Sequence, residues 1–163
     1  DLRLILSFPE ALKKVIGFYE KLANSVGINN FQRIAGIPTA GVPFASILAF
    51  KLSKPFIYVR KEVKPHGRER RVEGLLYPGD KVLIVDDLIT TGKSMLNAID
   101  AIKAEGGIVT DAIVLIDREE GGGEKLMEED VNLKCFIKIS EIAKKLLDMG
   151  AINIEEYEKM VKI

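Results

Sequence analysis

A lone cysteine and a lone histidine set the first limits on what this chain can be. One cysteine cannot form an internal disulfide, which suits a reducing compartment. Cys135 lies in LKCFIKI, an apolar stretch that favours a small buried thiol over a nucleophile or a metal ligand. His66 has no second histidine or cysteine at ligand spacing, which makes it a poor metal-site candidate. Net charge is also lacking, because 24 Lys and Arg offset 24 Asp and Glu. Bulk electrostatics therefore do not hold a nucleic acid, and any anion site must be local. No apolar run approaches the roughly 20 residues that span a bilayer, and no secretory leader opens the chain. The expectation is a soluble, cytoplasmic protein with neither a membrane nor a nucleic acid as partner.

What is present is an alternation of two periods. At 163 residues the chain fits one domain, and at about 150 residues folding buries roughly 68–70% of the unfolded surface. Ser7-Phe8-Pro9-Glu10 resembles a capping box, and Leu12, Val15, Ile16, Tyr19 and Leu22 follow at helical spacing, predicting a helix over 8–25. Strands are expected over 31–37, 55–63, 81–86, 109–117 and 134–138. Helices are expected over 41–52, 93–105 and from residue 140 to a stop at Gly150, with a last short helix capped by Asn153 and Glu156. Gly121-Gly122-Gly123 reads as a flexible turn. Strands alternating with helices over this length predict an α/β domain, 1–163, whose mostly parallel twisted sheet is covered by helices on both faces. Ligands of such sheets bind beyond the carboxyl ends of the strands.

One such end carries unusual chemistry. In KVLIVDDLITTGKSM, Asp86 and Asp87 close an apolar strand, and Thr90, Thr91, Gly92, Lys93 and Ser94 lead into a helix. The first amides of a helix lack intrahelical partners and can hold a phosphate together with the helix dipole, while Gly92 lets the backbone come close. A plain N-capped helix is the alternative reading. The loop is not a Walker A motif, because aspartate stands at 87 where that motif begins with glycine, and no dinucleotide fingerprint is present. Two carboxylates beside a phosphate cradle repel the ligand unless they have another task. Hydrogen bonding to the vicinal hydroxyls of a sugar, directly or through a divalent cation, is such a task. The ligand then carries ribose as well as phosphate. A second charged segment, VRKEVKPHGRERRVEG over 59–74, is net positive in an otherwise neutral chain. It reads as a mobile lid over a polyphosphate or as a solvated hairpin, and the absence of interleaved aromatics disfavours a nucleic-acid patch.

The apolar strand, Asp86-Asp87, Leu88-Ile89 and Thr90-Thr91-Gly92-Lys93-Ser94 together resemble the phosphoribosyl-diphosphate signature of the type I phosphoribosyltransferases. Arg60-Lys61, then Lys64, then His66-Gly67 is similar to the catalytic loop of the orotate phosphoribosyltransferases within that family. The resemblance implies the type I phosphoribosyltransferase fold and transfer of a phosphoribosyl group from phosphoribosyl diphosphate to orotate, giving orotidine 5'-monophosphate and diphosphate in pyrimidine biosynthesis. It implies that residues 88–94 grip the 5-phosphate and that Asp86 and Asp87 face the ribose hydroxyls. The segment 36–41, with Thr39 and Ala40, and Arg60, Lys61, Lys64 and His66 on a loop over about 61–74, would meet the diphosphate. Thr90 and Arg118 would meet orotate. It further implies Mg²⁺ held mainly by substrate, with Asp86 and Asp87 as the possible protein contacts, and a homodimer that shares the loop across its interface. Lys64, His66, Asp86 and Asp87 are the catalytic candidates. Members of the family usually begin with a further segment that roofs the orotate pocket, and Asp1-Leu2-Arg3 looks like its tail, so a missing roof is expected. A regulator that binds the same ligand without turnover, and a transferase for another base, remain open.

Overall fold

The structure, a computed structural model, describes residues 2–60 and 70–161. A 3-10 turn over Leu2–Ser7 leads into α1 (Pro9–Val26). The expected Ser7 capping box is not formed. Phe8 is the N-cap and Pro9 takes the first helical turn, where a missing N–H costs nothing, and Glu10 instead meets Lys13 at 2.8 Å. Then follow β1 (Arg33–Gly36), α2 (Gly41–Lys51), β2 (Phe56–Val59), β3 (Val72–Glu73), β4 (Lys81–Ile89) and α3 (Lys93–Ala104). The chain continues through β5 (Ile108–Asp117), α4 (Gly122–Glu128), β6 (Asn132–Lys138), α5 (Ile139–Asp148) and α6 (Ile154–Val161). The capping box expected at α6 is present: the Asn153 N–H donates to Glu156 Oε2 and the Glu156 N–H to Asn153 Oδ1, both at 2.9 Å.

The strands form one six-stranded sheet in the order β3-β2-β1-β4-β5-β6, parallel throughout except for β3. Alternate residues of the strands serve opposite cores. Ile34, Leu83, Val85 and Ile113 pack with Ile16 and Tyr19 of α1 and with Phe44 and Leu48 of α2. Ala35, Ile84 and Val114 pack with Met95, Ile99 and Ile102 of α3. Helices thus cover both faces, as the near-continuous apolar strands require. Among the described residues no helix is long and apolar enough to cross a membrane.

Three departures from the expected elements have physical reasons. β4 runs on to Ile89 rather than stopping at 86, because Leu88 and Ile89 pair with Ile116 and Asp117 of β5. The glycine run at 121–123 is not a flexible turn: Gly121, at φ 83°, is the N-cap of α4. In that seven-residue helix the buried residues are Gly122 and Leu126, too few to show a helical period. β3 is a two-residue antiparallel pairing on β2, below the length that alternation can reveal. β2 ends at Val59, and residues 61–63 of the strand expected there lie outside the described residues.

The order places the site. β1 has β2 on one side and β4 on the other, while α2 belongs to one core and α3 to the other. The loops leaving β1 and β4 therefore diverge to opposite faces, which opens a crevice at their carboxyl ends.

Candidate active site

That crevice is a cavity of about 230 Å³ lined by residues 37–40 and 86–95. It gathers Thr39, Ala40, Asp86, Asp87 and the run from Leu88 to Ser94, all of which the sequence had put at one site. Asp86 is nearly buried, at 9% exposure, and Asp87 is half-buried. Each carboxylate accepts one local amide: the Asp87 N–H donates to Asp86 Oδ1 at 2.9 Å and the Leu88 N–H donates to Asp87 Oδ1 at 3.0 Å. These bonds orient the carboxyl groups.

Two residues that the motif does not contain support the pair. Tyr19, wholly buried on α1, donates its hydroxyl to the Asp86 carbonyl at 2.7 Å. Burial, and then the negative charges of Asp86 and Asp87, push its pKa well above the ordinary value, so it stays a neutral donor. Nothing in the sequence marked its hydroxyl, because Tyr19 fits the apolar period of α1. Gly41, the first residue of α2, lies so close to β4 that a Cβ there would stand 2.6 Å from Asp86 Oδ1 and 2.9 Å from the Asp86 Cα. A side chain at 41 would displace the acid.

The phosphate loop is built by close packing. Gly92, at φ 78°, is the N-cap of α3 and offers no side-chain cap; the first helical bond runs from the Leu96 N–H to the Gly92 carbonyl at 2.9 Å. The amides before it belong to residues that line the cavity, the geometry in which a helix N-terminus receives an anion. The floor is α4: a Cβ on Gly122 would stand 2.4 Å from the Thr90 carbonyl oxygen. Gly122 is thus a third residue that the motif did not show, hidden in a run of three glycines.

The remaining candidates are not all in this cavity. Arg60 lines an adjoining cavity of about 310 Å³ that shares Ile37, Pro38, Lys93 and Ser94 with the first. Its Nη1 meets Glu73 at 3.1 Å. Arg118 lines neither; it is 45% exposed and its Nη2 meets Glu120 at 3.1 Å. Lys61, Lys64 and His66 lie outside the described residues. Among the described residues no group of three His, Cys, Asp or Glu is placed to cage a metal. Cys135 is half-buried, and burial above all raises its thiol pKa, as a structural thiol requires.

A nearly buried acid pair, a helix N-terminus and a switch-point crevice together suit a sugar phosphate, and the chain is similar to known proteins over most of its length. The orotate phosphoribosyltransferase of Pyrobaculum islandicum is 39% identical over 162 residues, covering 99% of this chain and 81% of that protein. The crystal structure of orotate phosphoribosyltransferase from Aeropyrum pernix superposes with a TM-score of 0.80 at 32% identity, covering 90% of this chain and 81% of that one. The orotate phosphoribosyltransferase of Mycobacterium tuberculosis in complex with 5-phospho-α-D-ribosyl 1-diphosphate has a TM-score of 0.73 at 25% identity, covering 86% of this chain and 80% of that one. The phosphoribosyl transferase domain family matches residues 4–147, a span that holds both loops of the crevice and the acid pair between them, and the chain belongs to that family.

Proposed function

We infer that the chain is an orotate phosphoribosyltransferase, which moves the 5-phosphoribosyl group of phosphoribosyl diphosphate onto orotate and releases diphosphate. The observation that carries this reading is the single cavity in which the acid pair of β4 adjoins the open N-terminus of α3. The 5-phosphate would lie on the amides of residues 91–94, where the helix dipole favours it. Asp86 and Asp87 would accept the ribose hydroxyls. Anchoring the phosphate and the diol at two points orients the anomeric carbon, a contribution from positioning rather than from a nucleophile.

As the anomeric C–O bond breaks, negative charge grows on the leaving diphosphate. Thr39 and Ala40 on the β1 loop and Arg60, just past β2, would meet it, and Lys61, Lys64 and His66 follow Arg60 in the sequence. Stabilising that charge in a water-poor site is the main electrostatic task. Arg118 would take the orotate carboxylate with its planar fork, beside Thr90. Its present pair with Glu120 is half-exposed, and such surface pairs contribute only about 0–1 kcal/mol, so exchange for a substrate carboxylate costs little.

Magnesium fits the acid pair. Two consecutive carboxylates, each with one oxygen already holding an amide, are too few for a protein cage and suit an ion that keeps its waters and binds phosphate oxygens. When bound with substrate, the ion would screen diphosphate charge. A homodimer that shares residues 61–74 between protomers and a cytoplasmic location complete the proposal, as does one domain over 1–163.

Assaying diphosphate release with orotate, uracil and purines tests the function. Release with orotate alone is expected. Release with a purine or uracil instead reassigns the base, and binding of phosphoribosyl diphosphate without release for any base identifies a regulator.

A further inference from the structure

The cavity beside the phosphate loop holds more positive charge than the motif explains. Arg60, Arg71 and Lys93 line it together with Ser94 and Asn97, and among the described residues no carboxylate does. Arg60 has Glu73 as its ion pair. Among the described residues no carboxylate meets the guanidinium of Arg71, whose Nη2 donates only to the Arg60 carbonyl at 3.3 Å. The Nε atoms of both arginines are buried and have no hydrogen-bond partner there. Buried donors of native proteins are nearly always paired, so the guanidinium groups of Arg60 and Arg71 keep donor capacity that the described residues do not take up. Three cationic side chains lining one cavity, with no carboxylate among its described lining residues, suit an anion with several oxygens, which can match two forks at once.

The backbone holds this arrangement in place. The Arg60 N–H donates to the Arg71 carbonyl at 2.9 Å. Glu105, just past the end of α3, accepts the N–H groups of both Arg71 and Val72 at 3.0 Å. The Arg71 main chain, just ahead of β3, is thus held by Arg60 just past β2 and by Glu105 just past α3.

We propose that Arg71 is a diphosphate-binding residue that forms a two-guanidinium clamp with Arg60 in the cavity adjoining the sugar-phosphate crevice. This rests on the proposed function, which puts the leaving diphosphate on the Pro38 side of the crevice, and it adds a residue that neither the phosphate motif nor the family resemblance assigns. Arg71 grips the leaving group only; the sugar phosphate is held by other residues.

Calorimetric titration of the full chain with inorganic diphosphate and, separately, with ribose 5-phosphate tests the clamp. Arg71→Leu is expected to weaken diphosphate binding by about tenfold or more, the effect of losing one charge-assisted hydrogen bond, with ribose 5-phosphate affinity unchanged. Arg71→Lys keeps the charge without the planar fork; it should fall between, and it serves as the readout if the leucine variant does not fold. Unchanged diphosphate affinity in the variants, or equal losses for the two ligands, overturns the proposal. Arg71-dependent diphosphate binding in a chain that takes up no ribose 5-phosphate would keep the clamp and remove the proposed function.

Discussion

Tyr19 links the core to the acid pair through one hydroxyl, and its ionisation is a handle on that link. The native phenol holds its proton well above its ordinary pKa because burial, and then Asp86 and Asp87, oppose its charge. In the unfolded chain it ionises near pH 10. Above that pH the unfolded state has lost a proton that the native state keeps, so stability falls as pH rises. Removing the hydroxyl also removes the 2.7 Å bond to the Asp86 carbonyl, a net loss of about 0.5–1.5 kcal/mol near neutrality. Tyr19→Phe is therefore less stable than the wild type at pH 8. Urea unfolding should show the difference shrinking by about 1.4 kcal/mol per pH unit above pH 10; a difference independent of pH contradicts the account. At this scale the motif residues were legible, since Asp86, Asp87 and residues 90–94 are recognisable from chemistry and spacing alone. Tyr19 and Gly122 were not, and Gly41 was legible only as part of the segment 36–41, because the contacts that define their roles come from residues 67, 32 and 45 positions away in the chain. Arg118 was legible as an arginine at a strand end, and its geometry is the ion pair with Glu120 that such a position also allows.

Among the elements, α3 has a task at each end. Its first turn supplies the amides of the phosphate loop, and at its far end the Glu105 carboxylate holds the returning strand β3 through two main-chain N–H groups. Glu105 thus fixes the main chain at Arg71 and Val72. Glu105→Ala leaves both amides without their charged acceptor, and hydrogen bonds to charged groups contribute about 1.5–3 kcal/mol each. Native-state hydrogen exchange should become at least about tenfold faster at Arg71 and Val72 while α1 amides are unaffected. Uniform acceleration across the chain would assign Glu105 to global stability instead. The elements with long apolar or amphipathic stretches, α1, α2, α3, β4 and β5, were legible within a few residues. β3 and α4 were not, because a pair of residues and a seven-residue helix that opens on glycines carry no period to detect. The Ser7 box failed for a related reason: Pro9 suits the first helical turn and draws the N-cap to Phe8.

For the whole molecule, the parallel sheet with helices on both faces followed from the alternation of apolar strands and amphipathic helices. The strand order did not, since it depends on which neighbours β1 and β4 choose. That order decides function, because β1 beside β4 is what brings residues 37–40 against residues 86–95. The central claim is that a sugar phosphate lies in this crevice, with its phosphate on the α3 amides and its diol on the acid pair. A crystal of the protein soaked with ribose 5-phosphate tests this most directly. The account predicts phosphate density within hydrogen-bonding distance of the amides of Thr91, Gly92 and Lys93 and ribose hydroxyls against Asp86 and Asp87; ligand density elsewhere, with this crevice holding only water, would contradict it.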